Sequence, residues 1–257
     1  MSQTYGQRAF AAALDLGDWQ FRSARTLGLV PAPDAGPGRW SADLVDRCGG
    51  EADRIRAELG SDPPVGAARA AARLARRVVL DVERVDVDVL AASGVLAAAG
   101  RYRGHPVYLV RHLDAVPADT LAEVVAARKG PLRDTIDAGG AVRALGWRSQ
   151  QFGRVAAERG LAKDRLGRYA LADVRALAAD EELMATAVAD AARADVQRAR
   201  RAEERCTTAL RGWLADCARF LDGTETRSPD LAAARRALSG LTSARYILSA
   251  TTDREVR

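Results

Sequence analysis

One order of residue types occurs near the start of the chain and again past its middle, and that internal similarity limits the fold more than any single motif. The first copy spans residues 10–47. It has an Ala-rich turn (Ala11 to Leu14), a break at Leu16-Gly17 and a short helical stretch from Trp19 to Leu27. Gly28-Leu29-Val30-Pro31 follows, then a Gly/Pro turn from Asp34 to Gly38 that leads into Arg39-Trp40 and Asp43-Leu44. The later copy, residues 138–180, repeats this order with Ala141 to Leu145, Gly146, a short helix from Ser149 to Glu158 and Gly160-Leu161. A basic turn through Gly167 then leads into Arg168-Tyr169 and Asp173-Val174. A fainter copy lies between them. Ser93 to Leu96 stands for the Gly-Leu step, Arg103-Gly104-His105-Pro106 makes a hairpin turn, and Tyr108 and His112-Leu113 take the places of the aromatic and the Asp-Val pair. Glycine and aromatic are separated by 12, 14 and 9 residues in chain order, a variation that a surface hairpin absorbs at little cost.

The connecting segments read as spacer or packing helices, Ala67 to Val82 after Pro63-Pro64, and Asp119 to Lys129 before Gly130-Pro131. Beyond the last copy, apolar residues recur from Val188 through Val196, Cys206, Leu210 and Trp213 to Phe220 at a helical period that persists until Gly223. A second helix is expected from Ser228 as N-cap and Pro229 at the first helical position, with Leu231, Ala234, Leu238, Leu241, Ala244 and Leu248 on one face. The two stripes can pack on each other or on a second copy of the chain. The domain reading is therefore 1–60, a degenerate or linker-like 61–135, 136–180, and a C-terminal helical assembly segment 181–257. The fold class is mainly α.

At 257 residues with 48% apolar and 28% charged side chains, the chain has the composition of a packed protein of two or more folded units. The net charge of +5 suits a polyanionic partner. The excess concentrates in 136–180, which carries 8 basic and 5 acidic groups, against 7 and 8 in 1–60. Three cysteines (Cys48, Cys206, Cys217) form no CxxC pair or disulfide framework, and the chain opens on a polar stretch, so a reducing cytoplasm is expected. No apolar run reaches the length of a membrane span. The two histidines, His105 and His112, make no ligand spacing with Cys48, and no phosphate loop, nucleophile elbow or triad is present. Neither metal, cofactor nor enzymatic activity is expected.

The repeated unit resembles the winged helix-turn-helix of the MerR and phage-excisionase superfamily. The likeness is carried by Leu14 to Gly17, Trp19 to Leu27, Gly28 to Pro31 and Gly38 to Leu44, and again by Leu145-Gly146-Trp147, Ser149 to Glu158, Gly160-Leu161 and Gly167 to Tyr169. It implies two or three small winged modules in tandem plus a C-terminal long-helix hairpin or coiled coil, with each second helix in the major groove of double-stranded DNA and each wing on flanking backbone. On that likeness Gln20, Arg22, Ser23 and Arg25 face base edges in the first copy, and Arg39 follows the wing. In the last copy Ser149, Gln150, Gln151 and Arg154 take the helix, while Lys163, Arg165 and Arg168 belong to the wing. In the middle copy Asp86 and Asp88 stand where such a helix should be basic, and only Arg101, Arg103 and His105 at its hairpin favour DNA. Trp19, Phe21, Trp40, Phe152 and Tyr169 read as core.

The function expected is sequence-specific DNA binding by a cytoplasmic, nucleoid-associated bacterial transcriptional regulator, dimerised or spaced by its C-terminal helices. The alternatives are a DNA-architectural or recombination-accessory protein like an excisionase, and a protein-interaction scaffold whose winged modules no longer bind DNA.

Overall fold

The computed structural model describes residues 3–255, which form a mainly helical protein in two compact units divided between Asp180 and Glu181.

The first unit runs three times through a leading strand, two helices, a returning strand and a helix, with an extra strand in the second pass and an extra helix in the first two. Strand β1 (Thr4–Gly6) leads into α1 (Gln7–Ala13) and α2 (Asp18–Thr26), and β2 (Arg39–Ser41) returns to pair antiparallel with β1 before α3 (Ala42–Gly49) and α4 (Ala52–Leu59). The second pass is β3 (Val65–Gly66), α5 (Ala67–Val78), α6 (Arg84–Ala92), the hairpin β4 (Gly100–Tyr102) and β5 (His105–Tyr108), then α7 (Val110–Ala115) and α8 (Ala118–Lys129). Here β5 pairs with both β3 and β4. The third pass is β6 (Thr135–Ile136), α9 (Ala138–Leu145), α10 (Ser149–Glu158), β7 (Tyr169–Ala170) and α11 (Leu171–Ala179). Helix α5 is thus the opening helix of the second repeat and ends at Val78, where the sequence suggested a longer spacer.

Each repeat closes on the same contacts. The returning strand buries an aromatic, Trp40, Tyr108 or Tyr169, whose strand partner is Tyr5, Val65 or Ile136. In the first repeat Phe10, Phe21 and Trp40 meet edge to face at 5.2 to 5.8 Å, and Phe152 meets Tyr169 at 5.1 Å in the third. Such pairs contribute about 0.5–1.5 kcal/mol beyond their buried area. Behind each second helix stands a glycine in the left-handed region, Gly28, Gly94 or Gly160 at φ +72°, +76° and +64°. Each donates its N–H to the carbonyl three residues back, which turns the chain out of the helix where a side chain would be strained.

The repeats are not separate beads. Ala99 and Leu109 of the second complete the core of the first, and His112 and Arg111 on α7 reach Glu58 on α4 at 3.3 and 3.2 Å. The second and third repeats meet at a buried ionic cluster. Asp81, 2% exposed, accepts from Lys129 at 2.9 Å, Arg143 at 3.1 Å and Arg168 at 3.4 Å.

The second unit is a hairpin of α12 (Glu181–Leu221) and α13 (Leu231–Glu255), the long helix pair expected from the apolar period. With 41 residues α12 is about 60 Å long. The start of α13 differs from the expectation. Asp230, not Ser228, caps it, accepting the N–H groups of Ala232 and Ala233 at 2.8 and 3.0 Å. The face turned inward is Ala234, Leu241 and Ala244, whereas Leu231 and Leu238 are exposed. Small residues there let the helices approach closely, and Arg245 reaches from α13 to Glu203 on α12 at 3.0 Å. No helix among the described residues is long and apolar enough to cross a membrane.

Candidate nucleic-acid interface

Helix α2 is nine residues long and buries Phe21, Ser23 and Ala24, with Gln20 and Leu27 half-buried beside them. Its solvent face is Asp18, Arg22, Arg25 and Thr26. Ser23, expected at base edges, is only 3% exposed and lies inside the core stripe. Gln20 is occupied by its helix: its Oε1 accepts the Gly17 N–H at 2.8 Å. Arg22 keeps an exposed i,i+4 pair with Asp18 at 3.3 Å, and Arg25 lies over the Trp40 ring at 5.4 Å. Arg39 is exposed on β2. The loop before it is held by Asp34, which accepts the Ser41 hydroxyl at 2.6 Å and its N–H at 2.8 Å. Those bonds, the hydroxyl first, hold the Asp34 carboxyl below its ordinary range.

In the third repeat α10 exposes Ser149, Gln150 and Arg154, with Gln151 half-buried, and Arg154 lies 3.8 Å from Glu158. Its hairpin is built around Asp164, whose Oδ1 accepts the N–H groups of Leu166 and Arg168 at 2.8 and 2.9 Å. Lys163 and Arg165 are exposed there, Lys163 over the Tyr169 ring at 5.3 Å. Arg168, expected to neutralise phosphate, is turned inward instead. Its Nε donates to the Thr135 hydroxyl at 2.8 Å, its guanidinium meets Asp81, and 18% of its side chain is exposed.

The middle repeat differs from its sequence reading in one respect. Asp86 is not on the solvent face of α6: at 1% exposure it accepts the Glu83 N–H at 2.8 Å and the Arg128 Nε at 2.8 Å. It caps the helix and pairs across to α8. What α6 offers to solvent is Arg84, Val85, Asp88 and Val89.

Between the first and second repeats lies an open cleft of about 1100 Å³. Arg22 and Arg25 of α2 form one wall; Arg69 on α5, Arg84 on α6, and Arg101 and Arg103 on the β4–β5 hairpin complete it, with His105 beside them. No described Asp or Glu lines it. Trp19 and Tyr102 are there as well, and Tyr102 is 65% exposed with the Arg103 guanidinium over its ring at 5.4 Å. The sequence marked Arg101, Arg103 and His105 only as an exception in a weak copy. Arg69 and Arg84 were missed, because the contact that brings them to α2 is non-local.

With this geometry in hand, comparison with family models, curated proteins and solved structures finds no match for the chain. Among the described residues no three His, Cys, Asp or Glu side chains are grouped to hold a metal ion.

Proposed function

We propose that the chain binds double-stranded DNA in a sequence-specific manner and serves as a bacterial transcriptional regulator, acting in the cytoplasm on the nucleoid. The observation that carries this reading is the pairing, in the first and third repeats, of a second helix with a polar, cationic solvent face and a following turn and strand segment that bears further cationic charge: Arg22, Arg25 and Arg39 in one, Gln150, Arg154, Lys163 and Arg165 in the other. Strand, helix, turn, helix, loop, returning strand and helix in that order resemble a winged helix-turn-helix, in which the helix reads base edges and the wing grips phosphate. Two such surfaces on one chain recognise a longer site than either alone, because the second contact forms at high effective concentration. The long α12–α13 hairpin is suited to hold a second copy of the chain, which would double the site.

The test is fluorescence anisotropy against a duplex selected from a random pool, over a range of salt. Log affinity is expected to fall linearly with log salt. Arg154→Ala is expected to relax base preference at the position it reads, by about 1–3 kcal/mol of discrimination. Absence of any duplex binding at low salt would sink the reading.

A further inference from the structure

We infer that the cleft between the first and second repeats is a binding site for the sugar-phosphate backbone of duplex DNA, so that the second repeat engages DNA through its hairpin and the first turns of α5 and α6, without laying its second helix in the major groove. The inference rests on the DNA-binding reading and assigns it a surface that the winged-module likeness does not supply, since helix and hairpin here come from different repeats.

Charge is the first argument. The chain carries 39 basic against 34 acidic residues, so a surface that gathers six arginines and no described carboxylate departs from its average. The arginines come from separate elements: α2, α5, α6, β4 and the turn that follows it. Among the described residues Arg25, Arg69, Arg84, Arg101 and Arg103 have no carboxylate partner, while most arginines elsewhere in the first unit are paired. Gathering like charges costs repulsion that a bound polyanion relieves. Of the six, Arg22 alone has a carboxylate partner among the described residues, and an exposed i,i+4 pair with Asp18 stabilises too little to hold it back.

Shape is the second. The cleft is open and lined on several sides, which suits a chain of phosphates passing through it better than one small anion enclosed by it. The hairpin tip adds Tyr102 with a guanidinium on its face, a surface that can lie against sugar and base edges. Beyond Arg84 at its first residue, the solvent face of α6 is Val85, Asp88 and Val89, an apolar and acidic surface with nothing to read base edges. The hairpin, together with Arg69 and Arg84 in the first turns of α5 and α6, is therefore the part of the second repeat with the chemistry for DNA.

The experiment compares the parent chain with Arg101→Gln/Arg103→Gln, with Arg69→Gln/Arg84→Gln, and with Arg54→Gln as an exposed control outside the cleft. Affinity for the selected duplex and for mixed-sequence duplex is measured against salt. Each double substitution is expected to make the log–log salt slope shallower by about 1.8, two phosphates at about 0.9 each, and to weaken both duplexes alike. The helix pair keeps the test independent of hairpin folding. Parent binding with slopes unchanged in both pairs would overturn the cleft while leaving DNA binding standing. Equal parent affinity for a single strand of the same length would overturn the duplex assignment, and no binding by the parent would remove both proposals.

Discussion

Lys129 places its Nζ 2.9 Å from Asp81 with both side chains sealed from water, 3% and 2% exposed, and the pair joins α8 to the loop between α5 and α6. Asp81 has three cationic neighbours, whereas Lys129 meets one carboxylate and the Thr135 carbonyl. Removing the acid therefore strands more charge than removing the base. Asp81→Ala is expected to cost about 3–5 kcal/mol in urea unfolding, and Lys129→Met clearly less, because Arg143 and Arg168 remain to satisfy Asp81. Equal losses in the two variants would show that the cluster does not act as drawn.

In the C-terminal hairpin a Cβ added at Gly240 would lie 2.8 Å from the Cys206 sulfur across the helix interface. Gly240→Ala gains about 1 kcal/mol of helix propensity but must push the helices apart. The single variant is expected to melt lower than the parent, and Gly240→Ala/Cys206→Ala to recover that loss and exceed it. A single variant more stable than the parent would mean that the helices yield freely there.

Acid sensitivity should have a traceable source in Asp114. Its hydrogen bonds from Arg73, at 2.7 and 2.6 Å, tie α7 to α5 and, with the charge of Arg73 and Arg77, hold its carboxyl below the usual value, against a smaller opposing effect of burial. A depressed folded pKa means stability that is present above the unfolded value, about 3.9, and lost as pH falls through the folded one. Asp114→Asn is expected to be less stable than the parent at neutral pH by no more than about 1 kcal/mol, since the pair is half exposed. That gap should close as pH drops below about 4. A gap that stays constant into strong acid would contradict the assignment.

The three thiols should differ in reactivity. Cys48 is buried on α3, and burial raises its pKa, whereas Cys206 and Cys217 are half-buried on α12. Alkylation of the folded protein near neutral pH is expected to label Cys206 and Cys217 first, with Cys48 following only at the rate of unfolding. Peptide mapping by mass spectrometry decides it, and early labelling of Cys48 would refute the burial argument.

What the sequence disclosed was local. The period of α12, the bounds of α10 and the buried Trp40, Phe152 and Tyr169 follow from spacing within a few turns. The leading strands β3 and β6, two residues each, are too short to carry an alternating pattern. Ser23 was misplaced because a small polar residue can occupy the core stripe of a short helix without disturbing its pattern. Arg168 and Asp86 differ from their sequence reading for another reason: the ion-pair partners that draw them inward lie 87 and 42 residues away, although the capping bond from Glu83 to Asp86 is local. The cleft was hidden by the same non-locality, since its arginines are spread over the chain from residue 22 to residue 103.

The presence of Ala99 and Leu109 in the core of the first repeat sets the smallest length at which the array can exist. Cut after residue 60, the first repeat would lack Ala99 and Leu109 from its core and expose the apolar surface they cover, so a fragment of one repeat is expected to aggregate rather than fold. Heating should melt the first two repeats in one transition. A lineage that shortened or lengthened this protein by a repeat would have had to rebuild a core to do so, which ties the number of repeats to stability as firmly as any target site could.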